Sequence, residues 1–217
     1  MNLTPIDIYC ERISPDFWAE PINAITNVAF IISAYVAHRY MQRLGDVNWR
    51  AYILIGLLTA IGIGSFLFHT FAVQWAMLSD VVPIFLFQLC FIALYANDVM
   101  KAGVIKIFGI FAVFFALSYG VSYIPPDVMN GSLAYIPAAL LVSAYGVWHC
   151  FSGQVVAERA ILLIAAALFF ISICFRSLDM SVCNAFPQGT HFIWHVLNAT
   201  VLYLCVRGYA KNSIISN

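Results

Sequence analysis

The sequence predicts an all-α integral membrane protein, a seven-transmembrane helix bundle, and three observations carry that prediction. Of 217 residues, 63% are apolar and 9% charged, with a mean hydropathy of +0.91, whereas soluble chains carry about a quarter charged residues. Seven apolar runs approach the roughly 20 residues that a bilayer core about 30 Å thick demands of a helix. The segments between them are short, so residues 1–217 read as one domain with no linker, repeat or low-complexity stretch. Ten Lys and Arg against ten Asp and Glu exclude the basic footprint of a nucleic-acid binder and the composition of a disordered chain.

Along the chain, residues 1–20 come first, with Asp7, Glu11, Asp16 and Glu20 against the single cation Arg12. They lack the basic head and apolar run of a cleavable signal peptide and read as an ordered or ion-bound outer segment. The first span covers about residues 21–42 and ends among Arg39 and Arg43; the second, about 49–71, opens beside Arg50. The third, about 75–97, and the fourth, about 103–123, are separated by Lys101. Pro125-Pro126-Asp127 and Asn130-Gly131 supply turn chemistry before the fifth, about 132–151. The sixth, about 157–177, begins at Arg159, and the seventh, about 189–208, runs out at Arg207 and Lys211.

Orientation follows from the cations at the span ends. One side holds Arg39, Arg43, Arg50, Lys101, Lys106, Arg159, Arg207 and Lys211, eight in all, and the other holds Arg12 and Arg176. This bias places the N-terminus outside or in a lumen and the C-terminus in the cytosol.

An ionisable side chain at membrane depth is a functional candidate, because lipid offers it no partner. His69 near the end of span two, Asp80 near the start of span three, and His191 and His195 near the start of span seven all fall in the outer half. His191 and His195 stand at i and i+4, one above the other on a helix face, and Ser65 and His69 repeat the spacing. Two imidazoles from one helix and a third from another make the three-ligand set of a catalytic zinc, with a fourth position left open. Imidazole suits zinc better than calcium or magnesium. Bland readings exist for each: a histidine at a membrane interface, Ser79-Asp80 before Pro83 as a helix start, and Ser65 among Gly62 and Gly64 as close helix packing. His38 and His149 lie toward the cytosolic ends and read as interfacial.

Glu20-x-x-Asn23-x-x-Thr26-Asn27, Gly64-Ser65-x-x-Phe68-His69, Asp80-x-x-Pro83 and His191-x-x-x-His195, in that order, resemble the alkaline ceramidase family. That family belongs to a membrane-hydrolase superfamily with the adiponectin/progestin receptors and the GPI-remodelling lipases. The resemblance implies zinc ligation by His69, His191 and His195, oxyanion stabilisation by Ser65, and a water oriented and deprotonated by Asp80. It implies a zinc-dependent amidohydrolase that cleaves the N-acyl amide of a ceramide-like lipid into a sphingoid base and a fatty acid.

The resemblance also implies a calcium site in the acidic outer segment, from Asp7, Tyr9, Glu11, Asp16 and Glu20. The match there is partial, since Ile8 stands where an acidic ligand is usual and the stretch from Glu11 to Glu20 is short. The family further has a disulfide between segments matching those of Cys10 and Cys183. These two cysteines lie in outer segments, where a bond can persist, while Cys90, Cys150, Cys174 and Cys205 fall within spans and pack as small apolar residues. The expected partners are a lipid substrate and the membrane; no protein partner is indicated. Competing readings are a hydrolase of another N-acyl or ester lipid, a receptor-like member with a structural zinc, and a transporter using Asp80 and the histidines as a relay.

Overall fold

Within lipid every backbone N–H and C=O has to find its partner inside the chain, and a long apolar run does so as a helix. The computed structural model, which describes residues 4–45 and 48–215, is built almost wholly of such helices. They are α1 (Pro21–Thr26), α2 (Val28–Leu44), α3 (Ala51–Phe71), α4 (Gln74–Leu94), α5 (Val104–Ser122), α6 (Ile136–Phe151), α7 (Ile161–Val182) and α8 (His191–Ile215). A π-helical turn, Tyr95–Val99, extends α4, and a 3-10 stretch, Val128–Tyr135, leads into α6. Among the described residues six helical segments are long and apolar enough to cross a membrane, beginning with the joined α1 and α2 and ending with α7. Helix α8 has the length, 25 residues, but carries His191, His195, Asn198, Arg207, Lys211 and Asn212.

The expected first span is divided at Asn27, whose side-chain amide donates to the Asn23 carbonyl at 2.8 Å. The Asn130-Gly131 turn is present, with Met129, Asn130 and Gly131 all at positive φ, and it delays the regular helix to Ile136. Leu54, Leu58, Ile61, Phe91, Tyr95, Leu162 and Tyr209 fill the interior, whereas Ile32, Val113 and Ile164 face outward. An apolar exterior is what lipid accepts. On α5 only Phe114 is buried, so that helix lies at the periphery.

Two findings concern a buried cation and a buried histidine. Arg176, counted with Arg12 among the outer-side cations, is not at the surface: it is 8% exposed, donating to the Asn130 carbonyl, the Ser132 hydroxyl at 3.0 Å and the Tyr9 hydroxyl at 3.4 Å. Its guanidinium also lies over the rings of Tyr9, Tyr135 and Trp194, which offset the loss of water. His149 is not interfacial either. It is fully buried, bonded to the Tyr95 hydroxyl through Nδ1 and to the Ala157 carbonyl through Nε2. Of the span cysteines, Cys205 is buried as expected, but Cys174 is exposed on the outer face.

Helix α3 packs closely on α4 because Gly64 lies at the crossing. A Cβ there would stand 1.8 Å from the Ser79 carbonyl oxygen. That carbonyl is one turn before Pro83, which has no N–H to give it. Ser79-Asp80 is therefore not a helix start. Helix α4 begins at Gln74, Pro83 lies inside it, and the Asp80 carboxylate is left free of capping duty.

Candidate metal centre

The three histidines converge from opposite ends of the chain. His69 closes α3, and His191 and His195 form the first turns of α8. All three are at most 2% exposed, with ring centroids 4.6 to 5.1 Å apart. One ligand atom from each lies within 4.8 Å of the others. Three imidazole nitrogens, His69 Nε2, His191 Nδ1 and His195 Nε2, are buried without a hydrogen-bond partner among the described residues. Buried polar nitrogens are rarely left so. A metal ion bound by three nitrogens satisfies all of them together, and the donor set suits zinc.

The far side of two rings explains which nitrogen is free. His69 Nδ1 lies 2.6 Å from Glu20 Oε2, so the proton sits on Nδ1 and the lone pair on Nε2. His195 Nδ1 lies 2.9 Å from the Thr26 hydroxyl. That hydroxyl spends its own proton on the Ile22 or Asn23 carbonyl, and so accepts from the ring. Glu20, 2% exposed, is also held by Arg12 Nε and by Asn23 Nδ2 at 3.1 Å, while Arg12 Nη2 reaches the His69 carbonyl at 3.2 Å. Burial acts to raise the Glu20 carboxyl, but the His69 and Arg12 contacts outweigh it and hold it below the ordinary carboxylate value.

Ser65 and Asp80 face each other across the Gly64 crossing. Ser65 is 3% exposed, and Ser65 and His69 are among the neighbours that act on the buried Asp80 carboxylate. Asp80 Oδ1 is sealed from solvent and without a hydrogen-bond partner among the described residues. All five residues expected to carry chemistry are thus brought to one place.

The five residues expected to hold calcium are distributed differently. Glu20 turns inward to His69. Tyr9 stacks on His191 with centroids 3.7 Å apart, and burial pushes its phenol up. Glu11 accepts the backbone N–H groups of Ile22 at 2.7 Å and Asn23 at 2.8 Å, and burial raises its carboxyl despite those bonds. Glu11 and Asp16 share a surface pocket with Ser14 and Gln188, and Asp7 is exposed away from it. Among the described residues the histidines are the only such group of three.

Cys10 and Cys183 are joined, with Cα atoms 5.4 Å apart. Beside them Asp179, fully buried, accepts the N–H groups of Cys10 at 2.9 Å, Thr190 at 2.7 Å and His191 at 2.9 Å.

The ceramidase family model matches residues 7–214, nearly the whole chain. The chain belongs to the ceramidase family. Comparison with curated proteins gave no match. Membership makes this ceramidase-family protein a hydrolase of lipid amide bonds that works in a membrane. Reasoning from the residues missed Glu20, Thr26 and Asp179 as supports of the ceramidase site. A signal existed for the first two, since Glu20, Asn23, Thr26 and Asn27 follow helical spacing and so share a face.

Proposed function

We propose that this chain is a zinc-dependent amidohydrolase that cleaves the N-acyl amide of a ceramide-like lipid to a sphingoid base and a free fatty acid. The observation that carries the reading is the convergence of three buried, unpartnered imidazole nitrogens beside Ser65 and Asp80. Zinc held there would lower the pKa of a water to about 7 and polarise the amide carbonyl. The protein's own residues do the rest. Asp80 Oδ1 accepts a proton from the attacking water and returns it to the amide nitrogen as the C–N bond breaks. The Ser65 hydroxyl, in the neighbourhood of Asp80, has one proton to give, and turned toward the developing oxyanion it stabilises that charge. Glu20 and Thr26 hold the His69 and His195 rings in register throughout.

Helix α8 completes a seven-span bundle in this reading. His191, His195, Asn198 and Asn212 are tolerated because they are buried among helices rather than facing lipid, and Arg207 pairs with Glu158. The bias of eight cations to two supports a site on the outer or lumenal side.

The test is metal analysis of the purified protein with an assay of N-acyl and ester lipids, products identified by mass. His195→Ala is expected to lose zinc, and Ser65→Ala to keep it while turnover falls by about 10²–10³-fold. Wild-type protein without zinc, or without product from any amide lipid, overturns the proposal. The same analysis reads calcium, for which Glu11 and Asp16 offer a shared pocket.

A further inference from the structure

One turn below the histidines, away from the outer segment, a narrow cavity runs between α4, α6, α7 and α8. Its upper rim is set by Ile84, four residues after Asp80, and by Asn198, three residues after His195; Ile92 and Cys205 lie two turns further down. The wall is almost wholly apolar, with Gln88, Tyr135 and Asn198 as its polar side chains. Asn198 is 3% exposed, and its Oδ1 has no hydrogen-bond partner among the described residues. Asparagine is a poor helix former, and a buried acceptor at membrane depth without a donor is costly. What it lacks is a hydrogen-bond donor arriving in the cavity.

The distance selects the donor. Three residues of helix rise about 4.5 Å, so Asn198 lies that far below His195 along α8. In an N-acylated 2-amino-1,3-diol both hydroxyl oxygens are four bonds from the carbonyl carbon, about 5 Å when extended, and only the one on the tail carbon enters the cavity with the alkyl chain. An alkyl chain descending the cavity from an amide at the histidines carries such a hydroxyl past Asn198.

Resting on the hydrolase reading above, we propose that Asn198 is a substrate-recognition residue whose Oδ1 accepts a hydrogen bond from the hydroxyl on the first tail carbon of a sphingoid base. The cavity below it takes the alkyl chain. The site thereby separates hydroxylated amino-alcohol lipids from plain N-acyl amines, because the plain lipid leaves the amide oxygen unpaired.

The experiment compares 2-aminooctadecane-1,3-diol with 2-aminooctadecan-1-ol, which lacks only that hydroxyl. Each is used as its N-palmitoyl amide in hydrolysis and as the free base in competition binding, on purified protein in one detergent. Wild-type protein is expected to favour the diol by roughly tenfold in kcat/KM and in binding. Asn198→Leu removes that preference by weakening the diol alone, with zinc content unchanged, and Asn198→Ser restores part of it. Equal handling of the two lipids by wild-type protein overturns the proposal without any variant, and so does an Asn198→Leu that weakens both alike. If no amide is hydrolysed, the hydrolase reading falls, while the binding comparison still decides the role of Asn198.

Discussion

The Asp179 carboxylate on α7 accepts the backbone N–H of His191, the first residue of α8, at 2.9 Å. The same oxygen takes the Thr190 N–H and the second oxygen takes that of Cys10. One buried carboxylate thus fixes the start of the ligand-bearing helix, as a cap supplied by another helix. Asp179→Ala leaves two buried donors and one part-buried donor unpaired and is expected to cost about 2–4 kcal/mol, seen as a lower Tm in detergent, with reduced metal content. An unchanged melt would contradict this role.

Gly64→Ala drives a methyl group into the Ser79 carbonyl. We expect α3 and α4 to separate there, at about 1–3 kcal/mol in stability and with hydrolysis lost as Ser65 leaves Asp80. Gly56→Ala in the same helix meets nothing within 4 Å and serves as the neutral control. Parallel melts and lipid assays of the two variants check the contrast.

Glu20→Gln weakens the hold on the His69 ring without touching a ligand. Metal affinity is expected to drop about 10–100-fold, measured by titrating a chelator against bound zinc. Thr26→Val acts on His195 in the same direction with a smaller effect, because a neutral hydroxyl orients a ring less strongly than a carboxylate. Equal zinc retention in Glu20→Gln and wild-type protein would count against the carboxylate's role.

Cys183→Ser opens a link that spans 173 residues of sequence. The expected loss is about 2–5 kcal/mol, read as a fall in Tm that matches reduction of the wild-type protein. If reduction leaves the melt in place, the bond is dispensable.

The apolar runs were legible in the sequence because length and hydropathy alone make a membrane helix, while Asn27 divides the first and the turn at Asn130-Gly131 delays the fifth. The histidines, Ser65 and Asp80 were legible because polar residues are scarce at that depth. The inward turn of Arg12 was not, and Glu20, though in helical register with Asn23 and Thr26, read as a calcium ligand because it lies in an acidic outer segment. The burial of Arg176 was not legible, because the aromatic rings from distant segments that pair with it are not marked by spacing. Asp179 escaped for a similar reason: its three donors are backbone groups, which every residue has.

His69 depends on Glu20 and His195 on Thr26, so the candidate metal centre draws on residues 20–26 and on α8. During synthesis Glu20 and Thr26 emerge before His191 and His195, with helices α2 to α7 made in between. A chain that has inserted only α1 to α7 therefore holds no complete site. The three imidazoles meet only when α8 has closed against α1 and α3.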